Sequence, residues 1–546
     1  MQSPLGCEQS VQTIDRFIFS GGLVLPIVIV GTILIALQWS AAAIDTSYVF
    51  ISTRLGVLYV IAAILTLGFL LYIAISPYGE LVLGSVAEPE YGQASWISML
   101  FCAGIGASLI YWGATEWTFY YIAPPFGIEP ESDAALLMAN SYGMFHWGPI
   151  GWAFYCLPAV GLCLSYHVFK IPALRLSSAC SEVLGRQQEL WPGRLIDLLF
   201  IVGTIGTCAT GLGFGTSVVS SAINKLTGIE DGIVLQIGVV FIATGLIAFS
   251  VFRGLNEGIR RLSTLNAFLA LILIVYIFVF GPTLFILEAG VTSLGTVAGN
   301  FVRMLSWTDP LQRADFVESW TVFYWAWWLA MGPFIGMFIC KISRGRTLRE
   351  LIVGVLGWGS LGCALFFMVL GGYAQYLEVQ NIYPVVAQAN EVSPSSAFIS
   401  IVSLLPLGSV MVLLVAVIGL VFVATTYDSA AYTLAAGATR SLGEGEHPAL
   451  LASGILGICP RHTSPQPTLR WRPEGTTNCI TAGLIALAIC LRHTWRFNLE
   501  DAAPHSSHLR WNITLVKKLS PITYNKPFYL QITTSRGLIP LYRSDI

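Results

Sequence analysis

The sequence predicts an all-α, polytopic membrane protein. Of its 546 residues 55% are hydrophobic and only 11% charged, with a mean hydropathy of +0.72; a soluble domain carries about 25% charged residues. Its apolar runs reach the roughly 20 residues that a helix needs to cross about 30 Å of hydrocarbon with every backbone polar group satisfied internally. The short alternating strands of a barrel are not visible.

The chain divides into ten such runs before residue 440: 17–39, 53–76, 95–115, 143–168, 196–222, 232–252, 264–287, 319–341, 350–373 and 401–436. The first follows MQSPLGCEQSVQTIDR directly and is too long for the apolar region of a signal peptide. Connections on one side carry Lys170, Arg175, Arg186 and Arg194, then Arg253, Arg260 and Arg261, then Lys341, Arg344, Arg346 and Arg349. Those on the other side include the acidic GIEPESDA stretch and 374–397, which has no Lys or Arg. The positive-inside rule therefore places the basic loops and the N-terminus in the cytoplasm, for a protein of the plasma (inner) membrane. The net charge of −2 gives no sign of a nucleic-acid partner. The eleven cysteines are scattered, without metal-ligand spacing, and read as small core residues.

Four runs carry residues that ask for more than packing. In the third, FCAGIGASLIYWG sets Gly104 and Gly106 among Ala103, Ala107 and Ser108, so the backbone either packs closely against another helix or breaks and lines a midplane site. In the fourth, MFHWGPIGWAFY puts Trp152 and Tyr155 on one face with Trp147 in reach. Tryptophan is ordinarily an interfacial anchor, but two spans carry several at depth. In the eighth, SWTVFYWAWW aligns Trp320, Tyr324, Trp327, Trp328 and Met331 on one broad helical face. Such a stripe is either core packing or a cage whose ring faces hold a cation; quaternary ammonium groups suit a cage because they donate no hydrogen bonds. In the tenth, VFVATTYDSAAYTLA supplies the hydroxyls of Thr425 and Thr426, which either bond their own helix or face a sodium ion.

These stretches, with GPFIGMFICKISRGRTLREL, PPFGIEP and RRLSTLN, resemble the betaine/carnitine/choline transporter family over about residues 12–448. The resemblance implies a leucine-transporter-type bundle of about twelve spans, with spans 3–7 and 8–12 as inverted repeats. It implies a trimethylammonium box of Trp147, Trp152, Tyr155 and Trp328, with Trp327 on the substrate path and Met331 and Ser108 nearby. Ser108 stands where many relatives have Gly and choline carriers tend to have Asp. It implies a sodium site from the carbonyls of Cys102, Ile105 and Phe422 and the hydroxyls of Thr425 and Thr426. Family exchangers that work without sodium carry an Arg in the seventh span, at the position that Asn266 occupies here. The expected activity is sodium-coupled import of glycine betaine, carnitine or a choline-like osmolyte by alternating access, with sodium as coupling ion and no other cofactor. The alternatives are a sodium-independent exchanger of the carnitine type or a truncated, non-functional transporter. Homotrimerisation and osmotic regulation through the termini are family features as well.

The resemblance defines a transporter domain at 1–448 and stops at the atypical tail, 449–546. PRHTSPQPTLRWRPEGTTN is basic and Pro-rich where an eleventh span is expected, and CITAGLIALAICL has about 13 residues, short of a span. A one-nucleotide shift permits apolar, family-like sequence through 451–487, so a frameshift near residue 450 is expected; reading the gene checks it. A channel would want a continuous polar pore ring, and a membrane enzyme a catalytic constellation. Neither is visible, and the deep carboxylates Glu116 and Asp428 read as backbone-packing or capping groups.

Overall fold

The computed structural model describes residues 14–441 except 87, 105, 253–254 and 312–313, together with two short strands near the C-terminus; side chains at 102–104, 107, 247–263 and 426–434 also lie outside the described set. The chain forms two units, Met1–Pro504 and His505–Ile546. In the second, β1 (Thr533–Thr534) pairs antiparallel with β2 (Gly537–Leu538). The rest of the expected atypical tail lies outside the described residues.

The first unit is helical. Asp15 caps α1 (Arg16–Ile35) by accepting from the amides of Phe17 and Ile18. Then comes α2 (Leu37–Ile75), whose 39 residues extend about 58 Å at 1.5 Å per residue, far more than the hydrocarbon thickness. The third predicted span is discontinuous: α3 (Gln93–Gly104) stops, Gly106 is extended (φ −131°, ψ 174°), and α4 (Ala107–Ile122) begins. The glycines permit the interruption, as the second of the two readings required. The fourth is interrupted too, with α5 (Asp133–His146) ending at Trp147 and α6 (Pro149–Cys163) starting on the proline. Proline suits a helix start because it lacks the N–H that would go unpaired there.

Short α7 (Leu176–Ala179) and α8 (Ser181–Leu184) lead into α9 (Trp191–Thr227), which closes on Gly228 at φ 76°. Next are α10 (Ile233–Phe252) and α11 (Leu255–Phe280). The predicted span 264–287 is corrected here: Gly281 and Pro282 end it, and α12 (Thr283–Ser306) is a separate helix. A π-helical turn at Val317–Thr321 opens α13 (Val322–Ile342). The ninth span, Leu348–Val379, alternates α14 (Leu348–Gly354), α15 (Ser360–Phe366) and α16 (Gly372–Val379) with π turns. Short α17 (Val385–Ala387) and α18 (Pro394–Ser403) precede α19 (Gly408–Ala438), which begins later than the predicted 401.

Among the described residues, eight helical stretches are long and apolar enough to cross a membrane, α12 among them. Apolar side chains such as Val28, Leu34, Leu65, Phe241 and Phe268 face outward, as they must where the surrounding solvent is lipid. The interior is dense with rings, and Trp96, Trp112, Trp117, Trp152 and Trp325 are almost fully enclosed. α6 packs extensively along α13, and α9 along α19.

Candidate functional site

The aromatic residues of the fourth and eighth spans meet. Trp328 of α13 lies 5.5 Å from Trp147 between ring centroids, 6.4 Å from Trp152 and 4.6 Å from Tyr155. Trp147 and Trp328 cross at 82°, Trp152 and Tyr155 at 79° and 5.6 Å. Two perpendicular rings can both face one cation, about 4.5 Å above each, when their centroids are about 6.4 Å apart. The pairs here lie at or inside that spacing, and Trp147–Trp328, Trp152–Tyr155 and Tyr155–Trp328 meet edge to face, so the rings pack on one another. The Tyr155 hydroxyl reaches the Met331 sulfur at 3.5 Å. All four rings are buried.

Glycines provide the seats. A Cβ on Gly151 would come within 2.5 Å of the Trp328 ring, and one on Gly359 would overlap the Trp152 ring. A small cavity beside the quartet is lined by Ser108, Trp112, Trp147, Phe323, Tyr324, Trp327 and Trp328. Trp327 borders it and packs on Phe214 and Phe323. Trp320 instead packs against Trp112, Phe119 and Tyr120, and Trp325 against Phe145 and Phe154. The stripe is therefore both a site and a core, divided residue by residue.

Glu116 was expected to pack against backbone or cap a helix, and the structure corrects this. It is fully buried, and its carboxylate accepts the Tyr120 hydroxyl (2.6 Å), the Trp147 indole N–H (3.0 Å) and the Tyr324 hydroxyl (2.5 Å). Tyr120 also meets His146 Nδ1 at 2.9 Å, and His146 Nε2 meets the Thr321 hydroxyl at 3.2 Å. Asp428 lies outside the described side chains.

The residues expected to hold sodium are only partly described. Ile105 and the side chains of Cys102 and Thr426 lie outside the described set. Phe422 is buried on α19. The Thr425 hydroxyl donates to the carbonyls of Val421 (3.0 Å) and Phe422 (3.2 Å), the local bonding that a helical threonine often makes. Asn266 is also buried; with its amide turned to satisfy both partners, it lies 3.3 Å from the Ile418 carbonyl and 3.3 Å from the Phe422 amide.

At the end of the bundle where α1 begins, Asp15 receives the Arg440 guanidinium (3.2 Å) and lies 3.5 Å from Arg194 and 4.0 Å from Arg175. Burial pushes the Asp15 carboxyl up, but the Ile18 amide and the three arginines hold it below its ordinary 3.8. Arg175 donates to the Thr439 carbonyl at 2.9 Å, and the Asp15 amide donates to the Ala438 carbonyl at 2.8 Å. The N-terminal segment is thus tied to the end of α19. A second junction holds α3: the Arg346 guanidinium bonds Gln93 and the Tyr91 carbonyl, each at 2.9 Å, and covers the Trp96 ring at 4.1 Å.

A broken-helix bundle that encloses an aromatic site beside a helix interruption has the architecture of membrane transporters of small molecules. The family described as BCCT, betaine/carnitine/choline family transporter, matches residues 17–459, and the chain belongs to it. It is an integral membrane transporter and not an enzyme. The uncharacterized transporter YeaV of Escherichia coli K12 is 35% identical over 386 residues, 70% of this chain and 80% of that protein. The carnitine transporter of Acinetobacter baumannii is 35% identical over 386 residues, covering 71% of this chain and 70% of its own. The glycine betaine transporter OpuD of Bacillus subtilis is 35% identical over 397 residues, 71% of this chain and 76% of that protein.

Proposed function

We propose that the chain imports a quaternary-ammonium osmolyte of the glycine betaine or carnitine type across the plasma membrane, driven by sodium. The quartet Trp147, Trp152, Tyr155 and Trp328 carries this reading. Its faces suit a charge that cannot be hydrogen-bonded, and Ser108 and Trp327 border the approach. Similar transporters of glycine betaine and carnitine support the substrate class.

Sodium would sit between the interruption at Gly104–Gly106 and the Phe422–Thr426 turn of α19, from the carbonyls of Cys102, Ile105 and Phe422 and the hydroxyls of Thr425 and Thr426. At about −100 mV each sodium charge contributes roughly 2.3 kcal/mol to uphill uptake. The N-terminus shares a side with Arg175 and Arg194 through Asp15, and the positive-inside rule makes that side cytoplasmic. Homotrimer assembly is carried from the family. Uptake of labelled glycine betaine and carnitine into proteoliposomes under an inward sodium gradient tests the coupling. Accumulation that collapses when potassium replaces sodium is expected. Equal exchange in both salts would replace symport by the exchanger reading.

A further inference from the structure

Among the described residues, Glu116 is a buried carboxylate with no Lys or Arg in its bonding shell; the nearest basic group is His146, whose Nδ1 lies 4.0 Å from Oε1. Its partners are all ring edges: the Tyr120 hydroxyl on one oxygen, the Trp147 indole N–H and Tyr324 hydroxyl on the other. The hydrogens of the wider cluster can be followed atom by atom. Tyr120 has one O–H and gives it to Glu116, so His146 Nδ1 must carry a proton to reach the Tyr120 oxygen. His146 Nε2 is then an acceptor for the Thr321 hydroxyl. The network joins α4, α5 and the head of α13, and every member's polar atom in it is paired.

Trp147 needs such a fixture. It is the residue at which α5 stops (φ −95°, ψ 8°), and Gly148 turns away before α6 begins. A continuous helix therefore does not hold its indole in direction. The orientation matters because an aromatic ring is electronegative on its face and electropositive at its edge, most of all at an N–H or O–H. An indole N–H aimed into the site would repel a quaternary ammonium; a ring face attracts it.

We infer that Glu116 is the positioning residue of the aromatic site: by accepting the Trp147 N–H and Tyr324 O–H it draws the electropositive edges of both rings away from the cavity and leaves their faces for the cation. The inference rests on the quaternary-ammonium reading for its guest, but its geometric half does not need one. Glu116→Ala removes the acceptor. Glu116→Gln keeps an amide oxygen for Trp147 and Tyr324, while its NH2 can donate to Tyr120 if that hydroxyl turns to His146.

The test uses the full chain, purified and monodisperse in detergent, with wild type, Glu116→Ala and Glu116→Gln compared. The first readout is the indole N–H resonance of Trp147 in nitrogen-labelled protein, assigned by its loss in Trp147→Phe, without any added ligand. It is expected to move in Glu116→Ala and to stay close to wild type in Glu116→Gln. The second readout is the ratio of affinities for glycine betaine and for tert-butylacetate, its uncharged-head carbon isostere. Glu116→Ala is expected to lower betaine affinity about tenfold with little change for the isostere, and Glu116→Gln to recover most of the loss. A merely structural role would weaken both ligands together. An unmoved Trp147 resonance in Glu116→Ala, or Glu116→Gln failing as far as Glu116→Ala with the resonance in place, would overturn the inference. If the wild type binds neither compound while the resonance moves as expected, the substrate reading fails and the positioning role stands.

Discussion

Trp328 touches three other rings of the site, while Trp325, three positions earlier, contributes only to the core. Neighbours in sequence thus divide between binding and packing by the direction each leaves the helix. The same logic makes the glycines readable. Gly359 lies under the Trp152 ring, whereas a Cβ on Gly357 meets nothing within 4 Å. Gly359→Ala should push the Trp152 ring from its seat and raise the uptake KM several-fold, since overpacking of this kind costs about 1–3 kcal/mol. Gly357→Ala in the same turn should leave KM alone. Initial-rate uptake at varied betaine checks both, with surface expression measured alongside.

At the scale of elements, the interruptions position the chemistry. The Gly104–Gly106 break is legible because glycine acts on the backbone locally, whereas the start of α6 at Pro149 falls inside the run read as one span, 143–168. The boundary at Gly281–Pro282 carried the same signal, but the apolar run across it was read as one span, and α12 was missed as a separate helix. Glu116 could not be assigned a role from sequence: its partners Trp147 and Tyr324 lie 31 and 208 positions away, and no helical period connects them. Spacing alone favours core packing for the stripe, and it is the family likeness that groups Trp147, Trp152, Tyr155 and Trp328 as a box. Gly345 shows another local constraint, with φ at +84° and a Cβ position 2.7 Å from Pro89 Cα; it lets the Arg344–Arg346 turn lie against the segment after α2.

The Asp15 junction yields a prediction with a definite sign. Because the folded carboxyl titrates below its ordinary 3.8, its stabilisation is fully present above that value and is lost as the pH falls through the lower, folded value. Thermal unfolding in detergent should therefore show no Asp15 contribution to pH dependence between about 5 and 8, and a loss only below about pH 4. Asp15→Asn keeps a good helix cap and removes the charge, so it should flatten that acid limb. Asp15→Ala loses the cap as well, at about 1 kcal/mol. An acid limb unchanged in Asp15→Asn would show that the arginines do not depend on it.

For the whole molecule, two packed pairs frame the site: α6 with α13, which carry the rings, and α9 with α19, which carries the Phe422–Thr425 turn. The interruption between α3 and α4 lies beside the ring cavity, which Ser108 lines. Alternating access requires one such group to move against the other while the substrate stays enclosed. The Asp15–Arg440 contact joins α1 to the end of α19, so this junction must move with α19 or open during the cycle. In this bundle the proposed role of the aromatic quartet is to carry a quaternary ammonium. Its most direct test is saturable uptake of labelled glycine betaine by proteoliposomes of wild type and Trp328→Leu at equal protein incorporation. Removing a desolvated ring face worth about 2 kcal/mol should raise KM about thirtyfold. Wild-type uptake with an unchanged KM in Trp328→Leu would contradict the claim.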